Sequence, residues 1–443
     1  MHPRCVLAAS ALAAALALAA CGSDSSKNTV TGPPPTDTGS LTVTVTTPAG
    51  ITGGIVVTGP GSYRKTVTAT TTLSGLAAGS YTLTASPAWT GDPIVSTLDT
   101  ASVSASPVTV TANATATTTV TYAPRPGSGQ LWIVNQGPGD VADAYASANI
   151  QASGTPTPAA VLGGATGHDT TIAAIDTHGD LWIAASTGDS LVEYTPTQLG
   201  AGGTLTPAVI VHLADHPHGL AFDSTGNLWV SLNTLGRVAE FDSAAVAAFA
   251  GSVTPTPSVT LTVPGAHAQP TGLAFDPSGD LWVADGWNGQ VYEFAAGNFT
   301  SSAAPSDSVL GLALTSLYEP SSLAFDGSGD LWIANASELV EYSAGQLRAR
   351  TAPSAPFEII QVNNVAPCGI AFDNSGDLWI TQDSAAVVRL NSSQLTGFGS
   401  VTQSPYIRIV MTDHGASAVG LAFDPHPSGT PLAGSRIPRS HTF

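Results

Sequence analysis

The chain has 443 residues, of which 12 are Lys or Arg and 31 are Asp or Glu, giving a formal net charge of −19. That acidity argues against nucleic acid or an anionic lipid surface as a partner. Of the three cysteines, Cys5 and Cys21 lie in the N-terminal stretch and Cys368 stands alone, so a mature chain has no internal disulfide.

Residues 1–20 place Arg4 before an Ala/Leu run that stops at Leu18-Ala19-Ala20-Cys21. The run is too short to cross a bilayer and has the flank order of a signal peptide. Leu-Ala-Ala-Cys resembles the bacterial lipobox, which implies that Cys21 becomes the first mature residue and carries the acyl chains. Gly22 after it resembles lipoproteins sorted to the outer membrane of a Gram-negative host. Residues 21–38 lack an apolar period and read as a flexible, Pro-stiffened linker. Residues 39–124 alternate Thr and Val between Gly and Pro, which is the pattern of short half-buried strands. Within them LSGLAAGSYTLTA (73–85) is similar to the Gly-x-Tyr corner of carboxypeptidase-regulatory-like and prealbumin-like β-sandwiches. The resemblance makes Tyr81 the corner residue and the unit a spacer or stalk.

From 125 to 425 one phrase recurs. Complete copies stand at 172–186, 219–233, 272–286, 322–336 and 369–383, as in GLAFDSTGNLWVSLN (219–233). GQLWIVN (129–135) is a second half without a first, and GLAFDP (420–425) is a first half without a second. Joined, they make a sixth unit, so the array closes on itself. Trp132, Trp182, Trp229, Trp282, Trp332 and Trp379 are 50, 47, 53, 50 and 47 residues apart, the period of propeller blades. The expected fold is all-β: a six-bladed β-propeller with strand-exchange closure, preceded by a small β-sandwich. The tail 426–443 has no blade pattern.

Each unit reads as four strands. An inner strand (GLAF) meets a second strand through an Asp-x-x-Gly turn, where Gly supplies a positive φ. A third strand ends in an acidic-aromatic pair such as Glu240-Phe241, a helical turn follows, and an apolar outer strand completes the sheet. The Trp is the wedge between stacked blades. Asp176, Asp180, Asp223, Asp276, Asp280, Asp326, Asp330, Asp373, Asp377 and Asp424 all fall in these turns. They read as turn formers serving backbone N–H groups, not as a calcium cage. The sequence holds no calcium loop, zinc-type Cys/His spacing, Ser-centred elbow or phosphate-binding Gly loop.

The unit G-[LI]-A-F-D-x-x-G-[DN]-L-W-[VI] resembles NHL-repeat and streptogramin-lyase-like propellers. Pro217-His218-Gly219-Leu220 is similar to the Pro-His-Gly/Ala-Ile inner strand of streptogramin B lyases. Trp282-Val283-Ala284-Asp285 offers the acid that follows a blade Trp in those enzymes. The blade of His218 itself reads Trp229-Val230-Ser231-Leu232, without that acid.

Segments before the inner strand and after the second strand emerge on one face, around the pore. Non-repeated polar residues gather there: His168, His216, His218, His267, Gln269, Glu319 and Cys368, with Asn135, Asn233, Asp285, Asn335 and Asp383. Varied polar residues on a repeated scaffold mark ligand contact. The expected ligand-binding set is His216, His218, His267, Gln269, Asp285, Glu319, Asn335 and Asp383. No catalytic residue is assigned; His218 and Asp285 are the candidates for acid–base work, and Cys368 reads as a small apolar residue at the rim. The whole reads as an exported, lipid-anchored, monomeric propeller binding a small molecule, a glycan or an envelope protein, and touching the membrane only through its lipid. The alternative is a metal-assisted lyase or lactonase with a divalent metal at the pore.

Overall fold

A computed structural model describes residues 38–136, 140–164, 170–299, 310–314, 317–349, 353, 355–382, 384–397, 399–411 and 417–424. The leader, Cys21, His168, Asp383 and the tail 426–443 lie outside the described residues.

The Thr/Val alternation of the N-terminal unit turns every second side chain inward. Two sheets result. One has the spatial order Thr71–Ala77, Thr38–Thr46, Thr115–Pro124, Leu98–Val103, Ala88–Trp89; the other runs Tyr63–Val67, Gly54–Gly59, Gly79–Ser86, Val108–Val110. They share a core that includes Leu41, Val43, Ile55, Val57, Tyr81 and Val120. The Tyr81 hydroxyl donates to the Ala77 carbonyl at 3.0 Å, tying a corner of the sandwich.

The remaining described strands form six sheets. Their inner strands are Thr170–Ile175, Pro217–Phe222, Pro270–Phe275, Pro320–Phe325, Pro367–Phe372 and Ser417–Asp424; each touches the next, and the last touches the first. They enclose a channel of about 200 Å³. Ser417–Asp424 pairs antiparallel with Gln130–Gln136 in the register Trp132↔Ala422, so one sheet holds both ends of the ring. Beside it, Arg125 pairs with the buried Asp424 and donates to the His178 carbonyl at 3.1 Å.

All six repeated Trp side chains are buried. Five meet the inner-strand Phe of the following blade edge-on: Trp182–Phe222 at 6.3 Å, Trp229–Phe275 at 5.9 Å, Trp282–Phe325 at 6.1 Å, Trp332–Phe372 at 6.2 Å and Trp379–Phe423 at 6.3 Å between centroids. Trp132 packs with Ile175 instead. The turn Asp fixes the other end of the indole. Its Oδ1 accepts turn N–H groups at 2.7–3.1 Å in five blades. In four of them Oδ2 accepts the indole N–H: Trp229 at 3.2 Å, Trp282 at 3.5 Å, Trp332 at 3.4 Å and Trp379 at 2.9 Å. The residue four after the turn Asp has its own task. Asn227, Asp280, Asp330 and Asp377 accept the first amide of the helical turn in their blade, from Ser243, Ala296, Ala344 and Ser392, at 2.7–2.9 Å.

Three blades carry a fifth strand beyond the four expected. Gly203–Leu205, Gly251–Val253 and Gly399–Gln403 each leave their own blade and pair parallel with the outer strand of the preceding one. Gly154 makes a one-residue version against Arg408 and Val410. These straps cover outer edges that would otherwise offer unpaired backbone.

The two units also share a core. Ile94 and Val95, from a loop of the sandwich, are buried in one cluster with Trp379, Leu131, Ile133 and Phe423. Asp92 Oδ1 accepts from the Ile94 and Val95 amides and from the Ser147 hydroxyl, while Asn374 and Ser375 donate to Asp92 O, Ser96 Oγ and Pro93 O.

Deleting Ser417 onward removes an inner strand, takes away the ion-pair partner of Arg125 and bares the Trp379 face. We expect loss of the cooperative melt and aggregation by light scattering; an unchanged Tm would show that the ring closes without this strand. The acid opposite Trp229 in register, Glu240, is pushed up to about 7, first by burial and then by Asp223 and Asp242. An acid whose folded pKa lies above its unfolded value stabilises below the unfolded value and loses that contribution as pH rises through the folded one. Stability should therefore fall between pH 4.5 and 7.5, and Glu240→Gln should flatten the fall in a Tm-against-pH series.

Candidate functional site

At the pore mouth the inner strands present one equivalent residue each: Thr171, His218, Thr271, Ser321, Cys368 and Val419, all half-buried. An inner strand is paired on one side only, so its open edge needs partners. Hydroxyls supply them. Thr171 donates to Pro217 O at 3.3 Å, Thr271 to Pro320 O at 2.8 Å and Ser321 to Cys368 O at 3.0 Å. From the second strands, Ser231 Oγ accepts the Gly219 amide at 2.6 Å and donates to Thr271 O at 2.8 Å. The strands approach so closely that a Cβ on Gly219 would lie 2.0 Å from Thr271 O. That contact, rather than backbone freedom, explains the glycine.

His218 and Cys368 are the members of this ring with separate chemistry. Burial draws the His218 pKa below its ordinary value and the charge of His216 adds to this, against a smaller pull from Asp215. His218 is thus a neutral imidazole at pH 7, and among the described residues none hydrogen-bonds its ring. Cys368 Sγ rests 3.9 Å from Ala366 O, half-buried rather than enclosed.

The expected ligand set divides. His216 is exposed, with Nδ1 2.7 Å from Ser186 O and 2.5 Å from Asp189 Oδ1; the carbonyl bond first, then Asp189 and Asp215, raise its pKa. His267 and Glu319 are exposed at φ +58° and +50°. Gln269 is half-buried, and its amide donates to Asp285 Oδ1 at 3.0 Å. Asp285 itself is fully buried and also accepts from the Asn288 amide at 3.2 Å and the Asn288 side chain at 2.7 Å. Asn335 is buried too, accepting the Tyr318 amide at 2.7 Å and donating to Glu338 at 3.2 Å. Asn135 donates to Asp143 at 2.9 Å and Asn233 to Pro270 O at 3.3 Å.

Asp285 and Asn335, which close their second strands, thus hold the neighbouring loops through N–H groups of Gln269, Asn288 and Tyr318. Both are buried and engaged with loop groups, and among the described residues no hydrogen bond joins His218 to Asp285. No three His, Cys, Asp or Glu converge at the pore mouth among the described residues, so those residues do not fit a divalent metal there.

The same face carries exposed apolar groups that a search for polar residues passes over: Leu235 (45 % exposed), Trp287 (65 %) and Tyr318 (68 %). The loops of the last two touch, with Leu317 N donating to Gly289 O at 3.1 Å. The one sequence signal was Trp287, a Trp outside the repeated position.

Residues 268–294 match the NHL repeat; the match spans the inner, second and third strands of the Trp282 blade. No curated protein matches the chain. Among solved structures, the chain is similar to virginiamycin B lyase from Staphylococcus aureus (14 % identity, 51 % of this chain and 67 % of that one, TM-score 0.36). It is also similar to a streptogramin B lyase (12 %, 67 % and 88 %, TM-score 0.43) and to a chain of a nidogen/laminin complex (14 %, 66 % and 97 %, TM-score 0.45). The protein is an all-β propeller bearing an NHL repeat.

Leaving buried donors without acceptors costs about 1–3 kcal/mol. We expect Asp285→Ala to lower stability by at least that amount in urea melts, and His218→Ala to leave it nearly unchanged. Equal stability of the two variants would remove the bracing role.

Proposed function

We propose that this is an exported, lipid-anchored envelope protein whose propeller binds a small molecule, a glycan or a protein partner on its pore-mouth face. The observation that carries the reading is the pair Trp287 and Tyr318, held outward on touching loops. Leu235 stands one blade away, where the Gly236 carbonyl accepts the Val263 amide at 2.8 Å on the connection leading to His267. Exposed aromatics beside His and Glu offer flat apolar faces with polar tips, the chemistry that anchors ligands at binding surfaces. Against the lyase or lactonase reading, Asp285 is buried and hydrogen-bonded to Gln269 and Asn288, and no acid hydrogen-bonds the His218 ring among the described residues.

The test is a panel of glycans and peptides read by tryptophan fluorescence, run beside a screen of lactones and macrocyclic esters. We expect saturable binding weakened at least tenfold by Trp287→Ala with Tyr318→Ala, and no turnover. Turnover abolished by His218→Ala would establish the enzyme instead. For the address, Cys21→Ala should move the protein out of the membrane fraction; its retention there would defeat the anchor.

A further inference from the structure

The Trp182 blade breaks the repeat at three places that meet in space, on the face opposite the pore mouth. In its turn, His178 stands where the other complete blades have Thr225, Ser278, Ser328 and Ser375. Its helical turn begins at Pro196, which has no N–H to give Asp180, whereas Asn227, Asp280, Asp330 and Asp377 all receive one. Its Trp182 is 1 % exposed and the indole N–H has no hydrogen-bond partner, although in the other four complete blades that group points at the turn Asp and donates to it.

These departures surround a cavity of about 320 Å³ walled by Asp176, His178, Asp180, Trp182 and Glu193 on one side and by Ser243, Val246 and Phe249 of the next blade on the other. Asp176, His178 and Asp180 offer ligand atoms that all lie within 4.8 Å of one another. Glu193 lies opposite Trp182 in register.

The fold contains its own comparison. In the Trp379 blade the residue in the place of Glu193 is Arg389, and its guanidinium bonds Asp373 at 3.0 Å and Asp377 at 2.7 Å. There a built-in cation holds the two turn carboxylates together. A Glu takes that place in the other complete blades (Glu193, Glu240, Glu293 and Glu341), and Asp276, Asp280 and Glu293 also converge. The Trp182 blade alone adds a turn histidine, and its neighbour Arg125 is already paired with Asp424.

We propose that Asp176, His178, Asp180 and Glu193 bind a divalent cation of the zinc–manganese class at this rim. One imidazole with several carboxylates suits those ions better than magnesium or calcium, which take oxygen alone. Asp176 keeps Oδ1 for the turn amides and has Oδ2 for the metal. A metal-bound water gives the Trp182 N–H its acceptor.

The test is calorimetric titration of the full chain, stripped with a chelator, with Zn²⁺ alone and with Mg²⁺ and Ca²⁺ as controls. We expect one stoichiometric Zn²⁺ site, with affinity lowered at least tenfold by His178→Ser and by Asp180→Asn, residues the other blades carry. Glu193→Arg rebuilds the arrangement of Arg389; it should abolish binding while the metal-free Tm holds or rises. Absence of stoichiometric Zn²⁺ binding by the unaltered chain would overturn the proposal. So would a site of unchanged affinity in His178→Ser and Glu193→Arg, which would belong to histidines elsewhere.

Discussion

The ring depends on one repeated contact, the edge of a tryptophan set against the phenylalanine of the next blade. Five centroid distances between 5.9 and 6.3 Å show how uniform it is. An edge-to-face aromatic pair contributes about 0.5–1.5 kcal/mol beyond its burial, and here the indole is also held at its N–H by the turn Asp in four blades. With the wedge fixed at both ends, the angle between sheets is fixed, and so is the approach of the inner strands at the channel. That approach is what forbids a side chain at Gly219 and what brings the hydroxyls of Ser231, Thr271 and Ser321 within reach of a neighbour's backbone. Polar groups at the channel are therefore largely a consequence of wedge spacing.

Much of this was legible because it repeats. The Trp period, the Asp six residues before it and the two half-units at opposite ends gave the all-β ring and its closure, since both are statements about strands that must pair. The straps were not legible. Gly203–Leu205 and Gly251–Val253 are three residues each, carry no alternation, and gain their conformation from the outer edge of another blade. From its spacing the second turn acid belongs to its own turn, whereas its oxygen reaches an amide about fifteen residues on, as from Ser392 to Asp377. No local pattern encodes that reach.

Variation along a repeat suggests ligand contact, but Asp285 and Asn335 differ in type while both accept N–H groups from the loops around their second strands. An amide and a carboxylate can each accept an N–H from a loop, so identity drifts while the role stays. His218 departs in a different sense: the hydroxyl that stitches strands elsewhere is missing there, and a neutral ring replaces it. The apolar members of the same face, Trp287 and Tyr318, lie outside the repeated positions and bear no titratable acid–base pair, so neither spacing nor charge marks them in the sequence.

The seam of the ring bears on the N-terminal unit. A spacer would touch the propeller at its ends alone, yet the loop at 92–96 sends Ile94 and Val95 between the last complete blade and the closing one. Its polar contacts reach both sides: Asn374 and Ser375 belong to the C-terminal part of the ring, Ser147 to the N-terminal part. Arg125, where the sandwich ends, adds the ion pair to Asp424 on the closing strand. The closing sheet joins segments nearly the whole propeller apart in sequence, and only there must a blade be assembled from distant chain. Closing so long a loop costs entropy that grows slowly with length, and the cost falls on this one joint. The sandwich loop fills the crevice beside that joint with apolar groups, as Phe249 does beside Trp182 and Phe299 beside Trp229. The N-terminal unit thus packs against both sides of the seam at which the ring closes.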